Sequence, residues 1–430
     1  MTTVAWLAVA VFAVAYVLIA TEWTHRVAAA LGGAVLMLLI GATDAEHAFF
    51  SEESGIDWNV IFLLLGMMLI VAVLQRTGVF EFVAIWAVKR ARGRPFRVMV
   101  ILVVVTAAAS AVLDNVTTVL LVAPVTFLVC ERLAVPVAPY LIAEALASNI
   151  GGTATLVGDP PNIIIASRAG LTYNDFLIHL APLIVLLMVV FVGLCRWLFR
   201  SAFGYDEERA QAVLALRERD AIRDSRLLVI SLVVLVAVTA AFVLHTALHL
   251  EPSVVALVGG LVLLAASRLD AEDVAKDVEW PTLVFFAGLF VMVGALVNTG
   301  VIDRLATAAT EATEGRLLLA SMVLLWASAV LSAVVDNIPY VATMSPVVAD
   351  LAAGTGDRGQ VLWWSLALGA DLGGNATAVG ASANVVVLGI AARAGRPISF
   401  WQFTRYGLIV AAVTVALSAP YLWLRYFVFG

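Results

Sequence analysis

The chain reads as an all-α polytopic membrane protein. It is expected to hold two inverted repeats of five transmembrane helices, each with a re-entrant hairpin and a broken helix, about ten spans and two hairpins in all. Three observations lead there. Hydrophobic residues make up 63% of the 430 and charged residues only 13%, far from the composition of a soluble domain. Apolar runs of about 20 residues, enough to cross a bilayer, recur along nearly the whole sequence. A polar stretch at Val112–Val125, VLDNVTTVLLVAPV, returns 222 positions later as VVDNIPYVATMSPV at Val334–Val347.

The offset holds without a gap over a long distance. Asp57-Trp58 faces Glu279-Trp280, Gly66 faces Gly288, and Thr77-Gly78 faces Thr299-Gly300. Further on, Gly151-Gly152 faces Gly373-Gly374, Gly158 faces Gly380, and Asn162 faces Asn384. Upstream the offset becomes 227, with VAAALGG at Val27–Gly33 pairing with VVALVGG at Val254–Gly260. A small insertion in the Asp44–Asp57 loop accounts for that. Duplication in a membrane chain points to secondary transporters, whose sites form between the repeats near the bilayer midplane. The expected division is 1–200 for the first repeat, 201–226 for a cytoplasmic linker and 227–430 for the second repeat.

Taken in order, full spans are expected at 3–20, 27–41, 57–76, 138–170 and 173–200. Their counterparts fall at 227–247, 253–267, 280–298, 360–394 and 400–428. The first span has no basic n-region and no small-residue cleavage site, so it reads as a retained helix. An odd number of crossings turns the second repeat upside down. With the N-terminus outside, all of the 25 basic residues fall on the cytoplasmic side except Arg168, Arg304, Arg316, Arg358 and Arg425, as the positive-inside rule requires. Segments Val79–Arg92 and Val301–Thr313 read as interfacial helices, and 205–226 as a linker helix joining the repeats.

Segments 97–131 and 318–352 hold the repeated motif. Each has two apolar arms of about 16 residues, short for full crossings. Either each is a pair of spans with Asp-Asn at the far surface, or a hairpin whose tip stops at mid-membrane. The partner segments favour the hairpin. SNIGGTATLVGDPPNIIIAS (Ser148–Ser167) and ADLGGNATAVGASANVVVLG (Ala370–Gly389) place Gly, Thr, Asn and Ser inside spans. Adjacent glycines and Pro160-Pro161 should unwind these helices, and freed backbone at that depth survives only when it lines a protein-enclosed or wet cavity. Two tips and two breaks then converge on one site.

The pairing of a D-N-x-x-T tip with a later N-I-G-G-T-A-T-L-V-G-D-P-P-N break resembles the ArsB/P-protein branch of the ion transporter superfamily. Arsenite efflux pumps, NhaD-type sodium/proton antiporters and, more distantly, sodium-coupled dicarboxylate carriers belong there. The resemblance covers essentially the whole chain and implies an inverted-repeat transporter, with a scaffold part and a transport part in each half. The dicarboxylate carriers have Ser-Asn-Thr at both tips, whereas this chain has Asp114-Asn115-Val116 and Asp336-Asn337-Ile338. Two carboxylates would repel a dianion, so a neutral or cationic cargo is favoured.

A carboxylate at bilayer depth costs roughly 2.5–3.5 kcal/mol and is rarely kept without a role. Burial works against its charged form, which makes Asp114 and Asp336 candidate proton carriers; each is equally suited to cap the half-helix that follows. The remaining candidates for cargo or ion binding are Asn115, Asn149, Gly151, Gly152, Thr153, Thr155 and Asn162, with Asn337, Gly373, Gly374, Asn375, Thr377 and Asn384 from the second repeat. The threonines are singled out because they lie in the breaks. Two asymmetric acids, Glu144 (mate Leu366) and Asp371 (mate Asn149), are further candidate proton carriers, while Asp159 reads as a helix cap. His245 and His249 are spaced i, i+4 without a third ligand, so no metal site is expected.

Three function classes compete. The best fit, as the resemblance implies, is a secondary active transporter exporting arsenite or antimonite against protons; As(OH)₃ is neutral and would be held by hydroxyl, amide and carboxylate groups. An Na⁺/H⁺ antiporter or an organic-anion carrier on the same fold is the alternative. An intramembrane aspartyl protease would need one facing pair of acids, which duplicated motifs do not suggest. The expected setting is the cell (inner or plasma) membrane. An arsenical pump ATPase subunit or a second copy are the partners to consider, and no cofactor or nucleic acid is expected.

Overall fold

The computed structural model describes residues 1–21, 23–51, 53–204, 206–208, 218–313 and 315–429. The first repeat runs α1 (Thr3–Ala20), α2 (Arg26–Leu39), α3 (Ala45–Phe50), α4 (Trp58–Arg76) and α5 (Val79–Arg90). A hairpin of α6 (Pro95–Ser110) and α7 (Asn115–Leu133) follows, then α8 (Val137–Gly152), α9 (Pro160–Ala169), α10 (Tyr173–His179) and α11 (Ala181–Leu198). The second repeats the order: α12 (Ser225–Leu248), α13 (Pro252–Ser267), α14 (Ala271–Lys276), α15 (Trp280–Asn298) and α16 (Val301–Ala312). Its hairpin is α17 (Leu317–Val334) and α18 (Asn337–Ala353), followed by α19 (Gln360–Gly373), α20 (Ser382–Arg393) and α21 (Phe400–Trp423).

Local chemistry sets these boundaries. Asp57 caps α4 by accepting from Val60 N, Asp224 caps α12 through Leu227 N, and Ser399 caps α21 through Gln402 N; each satisfies a free N–H of a first turn. Gly78 and Gly300 turn the chain into α5 and α16 with φ of 79° and 69°, a conformation costly for any residue with a Cβ. The proline of Pro252 opens α13 at a position that needs no N–H donor.

Contacts come in pairs related by exchanging the repeats. Helix α4 lies along α13 as α15 lies along α2; α6 packs on α8 as α17 packs on α19. The second half of each broken helix sits on the other repeat's hairpin, α9 on α18 and α20 on α7. Small residues let the backbones approach, as in membrane helix pairs generally. A Cβ on Gly66 would lie 2.3 Å from the Ala256 carbonyl carbon, and one on Gly288 2.9 Å from that of Ala30.

Several expectations change. Among the described residues, eight helices are long and apolar enough to cross a membrane alone, and two of them, α7 and α17, are hairpin arms of 19 and 18 residues. Arm length therefore does not reveal tip depth; the contacts described below show what the tips pack against. Helices α2 and α13 have 14 and 16 residues, about 21 and 24 Å at 1.5 Å per residue, so each covers less than the full apolar thickness. The expected span at 173–200 divides into α10 and α11 at Leu180. Short helices α3 and α14 lie in equivalent connections, the first within the Asp44–Asp57 loop. Of the linker helix expected at 205–226, positions 205 and 209–217 lie outside the described residues, and Glu218–Ala221 is a short 3₁₀ turn.

Candidate functional site

Each break is stapled to its own hairpin tip by the same bonds. Ser110 Oγ donates to Ser148 O at 2.7 Å, and its mate Ser332 Oγ to Ala370 O at 2.6 Å. Thr155 Oγ1 donates to Ala111 O at 2.6 Å, and Thr377 Oγ1 to Ala333 O at 2.5 Å. Within the breaks, Asn162 Nδ2 donates to Thr155 O at 3.0 Å, while Asn384 Nδ2 reaches Gly374 O and Thr377 O, both at 2.9 Å. These amides satisfy carbonyls that the unwound helix leaves free, as they must be where no water competes. Gly151 and Gly373 allow the approach: a Cβ on the first would lie 2.3 Å from Ala107 O, and on the second 2.4 Å from Ala329 Cα.

The two halves then meet. Asn115 Nδ2 donates to Asn149 Oδ1 at 3.1 Å, and Asn149 Nδ2 donates across the repeats to Asn375 Oδ1 at 2.9 Å and Asn384 Oδ1 at 3.1 Å. Asn337 N donates to Gly380 O at 3.1 Å, and its amide lies 3.4 Å from both carboxylate oxygens of Asp159. Asn115, Asn149, Asn162, Asn337, Asn375 and Asn384 are all buried. Both Asp-Asn tips thus sit against glycine breaks, with Asn115 and Asn337 buried inside the protein.

Both tip aspartates do act as caps. Asp114 Oδ1 accepts from Thr117 N at 2.8 Å, and Asp336 Oδ1 from Ile338 N at 3.0 Å. The second Asp336 oxygen accepts from Ser382 Oγ at 2.5 Å. Asp159 does not cap α9, against the sequence reading. Instead its carboxylate turns to the second repeat, where both oxygens lie 3.4 Å from the Asn337 amide. Like Asp159, Asp371 of the second repeat is fully buried.

A cavity of about 470 Å³ reaches Asp336 from the turn between α1 and α2. Arg26 lines it, donating from Nη1 to Ser382 Oγ at 3.2 Å and from Nη2 to Thr282 Oγ1 at 3.3 Å. Its guanidinium also lies 5.7 Å from the centre of the Phe285 ring. Glu279 is held nearby, accepting from Thr282 Oγ1 at 3.2 Å. A second cavity, of about 390 Å³, opens among the equivalent residues of the opposite halves, including Leu63, Ile163 and Ser253. Where the first has Arg26, this one has Ser253, which donates to Asn59 Oδ1 at 2.9 Å.

Not every candidate joins the centre. Glu144 faces the hairpin arm of its own repeat, accepting from Thr126 Oγ1 at 2.5 Å. Thr153 donates back along its helix to Asn149 O at 2.8 Å, so the hydroxyl protons of Thr153, Thr155 and Thr377 are all given to backbone carbonyls. Gly151, Gly152, Gly373 and Gly374 serve close packing. His245 and His249 end α12, away from the tips. Missed by sequence reasoning were Asp159, Arg26, Ser148 and Ser382. Each differs from its repeat mate, respectively Ala381, Ser253, Ala370 and Pro160, and that asymmetry was the signal available in the sequence.

Residues 16–369 match the family described as "Citrate transporter" (CitMHS). The chain is 58% identical over 426 residues to a protein of Mycobacterium tuberculosis called an uncharacterized transporter, covering 99% of both chains. It is 55% identical to the 46 kDa membrane protein of Mycobacterium leprae, covering 98% of this chain and 99% of that one. Human P protein is 33% identical over 504 aligned positions, which take in 99% of this chain but 60% of P protein. Among solved structures, the YdaH transporter of Alcanivorax borkumensis superposes with a TM-score of 0.60 at 15% identity, covering 91% of this chain and 88% of that one. That likeness is one of fold.

Proposed function

The chain belongs to the citrate transporter family of the ion transporter superfamily, and from that premise we propose a proton-coupled secondary transporter working by alternating access, with arsenite or antimonite as exported cargo. The observation that carries the reading is the meeting of both Asp-Asn tips with both breaks in one buried cluster of amides, with Asp159 against the Asn337 amide and Asp114 and Asp336 heading the tip helices. Such a centre attracts protons or cations and repels a free dianion. A small neutral hydroxide can be held there by amides and carboxyl groups, and protons entering through the same acids can exchange for it. The cavity at Asp336 and its counterpart among the opposite residues suit access from alternate faces, as inverted repeats provide. The proposed setting is the plasma membrane with the N-terminus outside; an arsenical pump ATPase or a second copy are candidate partners.

A second reading rests on Arg26. A guanidinium lining the cavity that reaches Asp336 could hold one carboxylate of an organic anion by a charge-assisted bond, and the family's description names citrate. A sodium/proton antiporter is the third arrangement of the same parts. Everted membrane vesicles distinguish them: arsenite, citrate and Na⁺ uptake are compared with and without an imposed pH gradient. Gradient-dependent arsenite accumulation is the expected result. Citrate or Na⁺ movement without arsenite movement would replace the cargo assigned here.

A further inference from the structure

Arg26 opens α2 and lines the cavity that reaches Asp336. The bonds around it run in one direction. The single hydroxyl proton of Ser382 goes to Asp336 Oδ2 at 2.5 Å, and that of Thr282 to Glu279 Oε2 at 3.2 Å. Both hydroxyl oxygens are therefore left as acceptors. Each takes a guanidinium N–H, at 3.2 Å for Ser382 and 3.3 Å for Thr282. The result is a continuous chain, Glu279–Thr282–Arg26–Ser382–Asp336, with the cation in the middle and an acid at either end. The Phe285 ring centre lies 5.7 Å from the guanidinium in the same cavity, and a ring at that distance favours a cation over its face.

The chain joins two bodies. Arg26 and Thr282 sit on α2 and α15, which pack along each other. Ser382 instead heads α20, the second half of a broken helix, and Asp336 heads the hairpin arm α18. On the opposite face the repeat mates cannot form it, because Ser253, Val60 and Pro160 stand for Arg26, Thr282 and Ser382. Ser253 bonds Asn59, and both belong to the packed pair α13 and α4. There the break helix is tied at its far end, by Ser167 to Asp57 and by Arg168 to the Glu53 carbonyl. The connection through Arg26 is also one that can be undone. Breaking a buried ion pair is costly because it leaves an uncompensated charge, but among the described residues Arg26 makes no direct ion pair. If it parts from Ser382, Asp336 keeps the Ser382 hydroxyl and Ile338 N as donors, and the freed guanidinium faces a cavity where water can solvate it.

We propose that Arg26 is a latch of the carrier, a positioning residue that ties α2 and α15 to the second tip and break, and whose release from Ser382 opens the cavity to Asp336 from its own face. This deepens the alternating-access reading and rests on it. Arg26 holds the two bodies together and does not itself take cargo.

Thiol labelling of purified protein in detergent tests the latch without cargo. Val386→Cys places a thiol in the Arg26 cavity and Ile163→Cys one in its counterpart on the opposite face, while the native Cys130 and Cys195 are buried. Ser382→Ala removes the acceptor between the two bodies, and Arg26→Met removes the charge at similar length. Each should speed maleimide labelling at Val386→Cys by about tenfold or more, the weight of one hydrogen bond to a charged group, and slow it at Ile163→Cys. Ser253→Ala should change neither rate. Unchanged labelling at Val386→Cys in both latch variants would overturn the proposal. So would faster labelling at both positions, which marks general loosening and not a shift between faces. Citrate that slows labelling at Val386→Cys, but no longer does so once Arg26→Met is added, would make Arg26 a cargo ligand and refute the latch as well. If labelling follows the expected pattern while vesicles move no arsenite, the cargo is wrong and the latch stands.

Discussion

Gly151→Ala is the substitution that most directly tests how the centre is held together. A Cβ there would lie 2.3 Å from Ala107 O and 2.5 Å from Ala107 Cα, where ordinary contact begins at 3.4 Å. The hairpin arm α6 must therefore retreat by about 1 Å, and overpacking of this kind costs about 1–3 kcal/mol. The same retreat stretches the Ser110–Ser148 and Thr155–Ala111 bonds, now 2.7 and 2.6 Å, beyond useful length. Bonds between membrane helices average about 0.6 kcal/mol each, with an upper range near 1.7. The expected destabilisation is roughly 2–5 kcal/mol, measured by reversible detergent-induced unfolding. Both clashing atoms are backbone, so Ala107→Gly cannot relieve the strain. Gly32→Ala is the control, since nothing lies within 4 Å of its Cβ; it should stay within about 0.5 kcal/mol of wild type. A Gly151→Ala protein as stable as wild type, or one rescued by Ala107→Gly, would refute the close-packing argument.

Other substitutions separate the roles of the polar residues. Asp114→Asn and Asp336→Asn keep a side chain that caps about as well as aspartate, so both should elute as folded protein, and vesicle flux then tells whether the negative charge is needed. Asn149→Leu removes two donated bonds and one accepted bond; a loss of about 2–4 kcal/mol is expected in the same unfolding assay. Glu144→Gln can still accept from Thr126 and lies outside the central cluster, so pH-driven flux should match wild type, and its abolition would return Glu144 to the proton path.

What was legible in the sequence was whatever the duplication wrote twice. The paired glycines of Gly151-Gly152 and Gly373-Gly374 marked the breaks, and Asp-Asn marked the tips. The roles of single residues were harder to read, because a side chain's partner across the repeats leaves no local trace. Arg26 counted only as a positive charge beside a span, yet its bonds reach Thr282 and Ser382, 256 and 356 positions away. Asp159 precedes Pro160, the usual place of a cap, and the sequence gives no hint that its carboxylate turns instead towards the second repeat. The threonines were read as ligands because they lie in the breaks, but an unwound helix leaves carbonyls that need donors. Thr155 and Thr377 meet that need at the tips.

Symmetric and asymmetric residues divide the labour of such a carrier. A framework that repeats inside out lets one arrangement of contacts be rebuilt at either face, and the paired bonds of Ser110 with Ser332 and Thr155 with Thr377 are of that kind. Coupling needs something more, a group whose protonation differs between the two faces. On the proposed function, the residues that occur once are the candidates for that difference: Asp159 opposite Ala381, Asp371 opposite Asn149 and Arg26 opposite Ser253. Replacing Ala381 by aspartate while turning Asp159 into alanine would move one acid to its mirror position and leave the Ser110, Ser332, Thr155 and Thr377 bonds in place. If the acids act by their placement, this exchange should alter the pH dependence of flux without unfolding the protein. An unchanged pH profile would mean that the total charge at the centre matters and its position does not.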